Sequence, residues 1–353
     1  MNLLSVRALT VAAVVGAMAS VASAQVQTLP TMDPTLLSAA LGGNGVRITS
    51  VSVHNGVAGQ LGTYWNFVKP PVTIRDGVVL SSGSVANLGP LAEVLDPNYD
   101  PAGPPAVVNS QMVPEPDTGG TSEFNAYGAA SNNIENFQAG YDVAALRVDF
   151  VIDNDAQVQF DFIFGTVEYP VYTSSYTDAF LVFLDGTGVH DQITYDANNK
   201  PVQVGVSFAG LETTADVNTA FASPHALIHH LTTTTARLDA GSHTLIFEIG
   251  DVNDHILDSA VFISNLRVGT GREGTEPSED PVHCGDADIA GLGGSAGPDG
   301  RLTIDDLIYY IGAFFNNNTA VADFVGLGGS HPRDGALTID DLIAFLDAFF
   351  SGC

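Results

Sequence analysis

The sequence predicts a mostly β protein, an antiparallel β-sandwich followed by a small α-helical module, and three observations carry that expectation. Between residues 144 and 270 six stretches, "AALRVDFVID", "AQVQFDFIFGTVEY", "DAFLVFLDG", "VQVGVSFAG", "SHTLIFEIGD" and "SAVFISNLRVG", read as strands, several alternating at period two. No part of that region shows the recurrent crossover helices of a parallel α/β fold, although "TTADVNTAFASPHALIHHL" has room for one short helix. From Asp288 the chain repeats itself at an offset of 35, and each copy ends in a helical apolar pattern.

Taken in order, residues 1–24 hold one positive charge, Arg7, then an apolar run and Ala22-Ser23-Ala24 ahead of Gln25. That pattern is a secretory signal peptide rather than a membrane anchor, because the apolar core is short and no stop-transfer charges follow. The expected mature chain starts at Gln25 and is secreted, extracellular or cell-surface associated. No second stretch reaches the roughly 18 to 20 apolar residues of a direct membrane span. "GVRITSVSVHN" alternates as a strand, and "VTIRDGVVLSSG" reads as two short strands around an Asp76-Gly77 turn. Residues 97–131, rich in Pro, Gly, Asn and Ser, read as a long loop. The sandwich domain is expected over 25–270, a linker over 271–283, and the duplicated module over 284–353.

Charge narrows the partners. The chain has 40 acidic and 11 basic residues, a net charge of −29, which repels nucleic acid and anionic lipid and favours cations. Its two cysteines, Cys284 and Cys353, flank the duplicated module. In an oxidising compartment the simplest reading is one disulfide between them; free thiols and intermolecular links are the alternatives.

In the duplication Asp288, Gly291, Asp299, Gly300 and Thr303 to Asp306 recur as Asp323, Gly326, Asp334, Gly335 and Thr338 to Asp341. Leu307, Tyr310, Ile311 and Phe314 fall at i, i+3, i+4 and i+7, so the two helices are expected to bury their stripes against each other. A calcium loop needs oxygen ligands, a glycine at the sharp turn, a backbone carbonyl just after it, and a carboxylate at the start of the exiting helix. Those roles fall on Asp299, the Arg301 carbonyl and Asp306 in one copy, and on Asp334, the Ala336 carbonyl and Asp341 in the other. Asp288 and Asp323 are the available distal acids of an enlarged loop. The competing reading is that Thr303 and Thr338 cap helices, with Asp306 and Asp341 favouring the helix N-termini; the two readings are compatible.

With Cys284, Ala287-Asp288, the paired Asp-Gly loops and the closing Gly352-Cys353, this segment resembles a dockerin of the type found in planctomycete secreted proteins. The resemblance implies a module folded around two calcium ions that docks its passenger on a cohesin-like or other cell-surface anchoring protein. The larger region resembles the choice-of-anchor L domain, through "GVRITSVSVHNG", "DGVVLSSG" and "FDFIFGTVEYPVYTSSYTDAFLVFLDG". That resemblance implies an extracellular domain and transfers no activity.

Within the larger domain Glu168 and Asp178 flank the connection between two strong strands, and Asp251, Asp254 and Asp258 cluster near the last one, with Asn265 further along. Either group suits a ligand or structural calcium, and either suits plain solvated loops. A glycosidase needs two such acids across a cleft, with Tyr64, Trp65, Tyr169, Tyr172 and Tyr176 as aromatic candidates. His225, His229 and His230 lack a third zinc ligand in register, and no HExxH, GxSxG or phosphate-binding loop occurs. The reading is a secreted, noncatalytic adhesion or extracellular assembly protein on a calcium-dependent module. The alternative is an extracellular carbohydrate-binding protein or glycoside hydrolase in polysaccharide breakdown.

Overall fold

A computed structural model of the chain describes residues 26–69, 72–89, 119–130, 133–169, 172, 176–195, 199–204, 213–214, 219–221, 226–228, 230–278, 287–291, 293–296, 301–329 and 332–351. The expected signal peptide, most of the 97–131 loop, His225, His229, Asp299, Gly300, Cys284 and Cys353 lie outside them, and so does the expected disulfide.

In chain order the larger domain comprises β1 (Gln27–Pro30), α1 (Pro34–Leu41), β2 (Arg47–Asn55), β3 (Leu61–Lys69), β4 (Val72–Ser81), α2 (Ser122–Ala129), β5 (Gly140–Ile152), β6 (Gln157–Thr166), β7 (Ala179–Leu184), β8 (Val202–Gln203), β9 (Thr213–Thr214), β10 (Ala226–Ile228), β11 (Leu231–Thr234), β12 (Gly241–Val252), β13 (Ser259–Gly269) and β14 (Gly274–Pro277). These strands form two antiparallel sheets. One runs β1-β3-β4-β13-β6-β10-β9, with β11 paired to both β6 and β14; the other runs β2-β5-β12-β7-β8.

Alternation builds the sandwich. Along β6, Val158, Phe160, Phe162 and Phe164 face inward and meet Leu245, Phe247 and Ile249 of β12 and Phe180 and Val182 of β7. Phe160 packs edge-on against Phe247 at 5.1 Å, and Phe162 lies 4.9 Å from Phe180. Each outer face is also covered. Tyr64, Phe67, Ile163 and Phe262 gather over the larger sheet, while Phe124 and Tyr127 of α2 cover Val143, Ala145, Leu181, Phe183 and Ile246 of the smaller one. Burial on both faces explains why the central strands read as nearly continuous apolar runs. Asp33 starts α1 by accepting from the Thr35 amide, with Pro34 in the first turn.

Three expectations change here. The Asp76-Gly77 pair is no turn: β4 runs through it unbroken, and a Cβ on Gly77 would lie 2.0 Å from the Ile263 carbonyl oxygen of β13. Glycine marks a close backbone approach at that position, the other meaning of a glycine inside a strand. Of the described residues of 213–231, Thr213–Thr214, Ala226–Ile228 and Leu231 are strand, with β10 and β11 paired to β6, and 219–221 form a bend and turn, so none of them is helical. Part of the expected linker is strand β14, paired with β11, so the sheet extends to Pro277.

The duplicated segment adds β15 (Ala290–Gly291), β16 (Ser295–Ala296), α3 (Ile304–Phe315), α4 (Thr319–Ala322) and α5 (Ile339–Ser351). Tyr310 of α3 and Phe345 of α5 stack with centroids 3.8 Å apart and planes 6° from parallel. The expected burial of Ile311 does not occur; it is exposed, and Tyr310 with Ala313 carries the contact. Arg333 of this segment donates to the Asp76 carboxylate of β4 at 2.9 and 3.1 Å, joining it to the sandwich. Among the described residues no helix is long and apolar enough to cross a membrane.

Replacing Gly77 by Ala is expected to lower stability by about 2 kcal/mol or more, since backbone rather than a movable side chain fills the space a Cβ needs. Gly293 has open space around its Cβ position, and Gly293→Ala serves as the control for left-handed backbone strain alone (φ +79°). Urea unfolding midpoints of both variants check this; a smaller loss for Gly77→Ala than for the control contradicts it.

Candidate functional site

At one end of the sandwich the ends of β5 and β12, the approach to β7 and the β12–β13 connection come together. Asp142 sits near the start of β5 with φ 47°. Asp178 immediately precedes β7. Asp251 follows a register shift between β12 and β5 at Ile249 and Asp251, the kind of irregularity that re-aims a side chain. Asp258 precedes β13, and the connection reaches it through left-handed Asn253 and Leu257. All four carboxylates are buried, Asp178 and Asp251 completely.

Their partners are unequal. The Asp178 carboxylate accepts from the Ser259 hydroxyl at 2.7 Å and from the Val252 amide at 3.2 Å. Asp142 faces His255 Nδ1 at 3.0 Å. Ser82 approaches Asp258 at 3.4 Å and accepts from the Ser259 amide at 3.0 Å. Neither oxygen of Asp251 has a hydrogen-bond partner at good geometry, although Ser82 and Asp178 are near enough to affect its ionisation. Burial raises the Asp251 carboxyl well above its usual range, and the charges of Asp178, Asp258 and Asp142 add to the shift. Asp178 is raised by the same burial, with Asp254 adding, and Asp254 itself is raised by partial burial. This is a wall of acids with one neighbouring imidazole, in which burial and like-charge repulsion favour the protonated carboxyls.

The predicted acids therefore divide. Asp178, Asp251, Asp254 and Asp258 are brought to one wall, and Asp142, which sequence reasoning did not single out, joins them. Glu168 is buried just past β6, where its amide donates to Thr166 Oγ1 at 3.0 Å. Asn265 belongs elsewhere, donating to Asp161 at 2.7 Å on the outer face of the larger sheet. The wall acids do not bring three ligand atoms within 4.8 Å of one another; among the described residues that happens at His54, Glu123 and Glu248. Of the aromatic candidates, Tyr64 is a core residue whose hydroxyl donates to the Ile74 carbonyl at 3.0 Å.

Among the described residues, the bonds at the helix starts of the C-terminal repeat recur in both copies. Asp306 accepts from the Ile289 and Ala290 amides with one oxygen, at 2.8 Å each, and from the Thr303 amide at 2.8 Å and hydroxyl at 3.2 Å with the other. Asp341 does the same with Phe324, Val325 and Thr338. Each carboxylate closes a capping box and also ties its helix to backbone 16 and 17 residues upstream. Asp305 and Asp340 accept from the amides of Gly293 and Gly328. Asp334 accepts from the Leu327 and Ala336 amides, and one oxygen of buried Asp323 accepts from the Gly335 amide at 2.7 Å. The second Asp323 oxygen has no hydrogen-bond partner, and burial pushes this carboxyl up to about 7. Asp288, its repeat counterpart, is equally buried.

Residues 25–266 match the choice-of-anchor L domain family, a match that points to an extracellular or surface role. No curated protein and no solved structure matches the chain.

The acid wall makes a signed pH prediction. A carboxyl whose folded pKa is raised binds more protons folded than unfolded, so stability falls as pH rises from about 4 toward the folded value. In chelator, Asp251→Asn is expected to melt above the parent at pH 7.5, by about 1 kcal/mol or more, and to converge with it near pH 4. Thermal unfolding at pH 4, 6 and 7.5 checks this; a variant less stable than the parent at pH 7.5 contradicts it.

Proposed function

The chain belongs to the choice-of-anchor L family, and from that membership we propose that it is a secreted, noncatalytic adhesion or extracellular assembly protein, attached through its duplicated C-terminal module. The observation that carries this reading is an apolar surface repeated with the sequence. Ile304 and Ile339, Ile308 and Ile343, and Phe315 and Phe350 are equivalent positions in the two copies, and all six are 51% to 81% exposed. Scattered exposed apolar residues need no explanation, but the same ones left uncovered twice, on helices that bury others, mark a contact surface. A cohesin-like or other cell-surface anchoring protein is the partner this dockerin-like module would engage.

Calcium is part of the proposal. In each loop Asp288 or Asp323 and Asp299 or Asp334 supply carboxylate oxygen, and the Arg301 or Ala336 carbonyl completes the turn. Asp323, with one oxygen already oriented by the Gly335 amide and the other without a partner, is the strongest donor. Asp306 and Asp341 have both oxygens engaged by backbone and hydroxyl donors, so ligation there requires exchanging one of those bonds. The acid wall of the sandwich is a second cation-attracting region in the same reading.

A glycoside hydrolase role has less support. Asp178 and Asp251 are fully buried, whereas a general acid and its partner must flank a sugar in an open cleft. Binding of an extracellular glycan without turnover remains compatible with the adhesion reading.

The test uses the full mature chain and cell-envelope material from the producing organism. Retention on the envelope in calcium is expected to fall at least about tenfold in an Ile308→Asp, Ile343→Asp double variant, with unfolding temperature unchanged. Calorimetry is expected to find one calcium ion fewer in Asp323→Asn. Retention that survives both the double variant and chelation rejects the attachment role, and a calcium count of zero in the parent rejects the calcium dependence.

A further inference from the structure

His54, Glu123 and Glu248 meet on the outer face of the smaller sheet, a group that includes none of the acid-wall or repeat residues. His54 comes from β2 and Glu248 from β12, with β5 lying between those strands. Opposite Glu248 on β5 stands Ala145, whose single methyl leaves room for side chains from both flanking strands to converge above it. The β2–β5 register shifts between Val53 and Asn55, at His54 itself. Helix α2 lies over this face and supplies Glu123 in its first turn.

One potential ligand atom from each residue lies within 4.8 Å of the other two, and His54 Nε2 is 2.5 Å from Glu123 Oε1. Each carboxylate has its other oxygen fixed by a hydroxyl. Ser122 donates to Glu123 Oε2 at 2.7 Å, and Thr121 donates to Glu248 Oε2 at 3.1 Å. Thr121 is also the N-cap of α2, accepting from the Phe124 amide at 3.1 Å, so one residue orients both the helix and the carboxylate. Such supporting bonds are how metal sites hold their ligands in register.

A histidine beside a glutamate is by itself an ordinary ion pair. Glu248 is what that reading leaves over: it is fully buried and its Oε1 has no hydrogen-bond partner. Burial, with Glu123 nearby, pushes its carboxyl up to about 8, which is the cost of holding a second acid there without a counter-charge. His54 keeps a third of its side chain exposed, leaving a way in from solvent.

We propose that His54, Glu123 and Glu248 bind one divalent transition-metal ion, with zinc the best fit, leaving a fourth position open. One imidazole and two carboxylates form a nitrogen-oxygen set that suits zinc; calcium prefers six to eight oxygens. Ligand atoms around a tetrahedral zinc stand about 3.3 Å apart, within reach of this cluster by small side-chain adjustments. The ion would bolt α2 to the sheet.

The test is metal content of the full mature chain, stripped with chelator and then dialysed against zinc in a large excess of calcium, which occupies oxygen-only sites. The parent is expected to retain one zinc equivalent. Glu248→Gln, which keeps the side-chain shape, is expected to weaken zinc at least about 100-fold, and Thr121→Val about tenfold. Cobalt in place of zinc is expected to give visible absorption bands that shift in His54→Ala, a readout that a purely structural role for His54 would not move. No zinc retained by the parent, or equal retention by the parent and Glu248→Gln, overturns the proposal.

Discussion

Everything in the larger domain depends on two sheets closing over one aromatic and aliphatic layer. Phe160 and Phe162 on β6 engage Phe247 and Phe180 across the gap, and this contact fixes which face of every central strand is inward. A one-residue slip of β6 would turn Gln159 and Asp161 into that layer and the phenylalanines out of it. Because α2 and the segments around Tyr64 and Phe221 also cover the outer faces, the middle of each sheet offers little water to a charged side chain.

A chain with 40 acidic residues must then place some of them under cover, and two contrasting kinds stand out, with Asp178, served by Ser259 and Val252 yet raised, between them. Asp161 is fully provided for: Arg267, Asn265 and Thr232 donate to it at 2.7 to 2.8 Å, and against burial His230, Arg267 and Thr232 hold its carboxyl down at about 2. Asp306 and Asp341 are provided for by backbone and hydroxyl donors. Asp251, Glu248 and Asp323 are buried with at least one oxygen unserved, and all three have raised carboxyls. Donors stabilise the first kind in place, whereas the second kind needs a proton or a cation. Each of these three acids lies beside at least one further carboxylate.

How much of this was legible in the sequence follows from the range of the interaction. β5, β6, β7, β12 and β13 were legible because their signal is local alternation. The repeat was legible because identity at an offset of 35 needs no knowledge of the fold. The Asp-Gly pair in β4 misled, because a turn and a close strand approach ask for the same glycine, and only the position of Ile263 separates them. Asp178, Asp251 and Asp258 were legible as acids near strand ends. Asp142 was not, since its role comes from a neighbour 109 residues later in the chain. His54, Glu123 and Glu248 are spread over almost 200 residues and carry no spacing motif. A His in an alternating strand, a Glu in the first turn of α2 and a Glu inside an apolar strand become a group only when β5 brings a small residue between them.

The two parts of the chain meet through a contact that also comes from the duplication. Arg333, in the second copy's loop, bridges to Asp76 of β4, beside the glycine that lets β13 approach. The equivalent position in the first copy is Pro298, whose side chain has no donor to make such a bridge. Two copies that share the same capping bonds and the same exposed apolar positions thus differ at the position through which the second one holds the sandwich. A partly exposed ion pair of this kind contributes little to stability, so its effect is on orientation rather than strength. It points the second copy's loop toward β4, a constraint that the Pro298 side chain has no donor to impose on the first. Under the attachment role proposed for this module, that asymmetry would let a partner meet one copy in preference to the other.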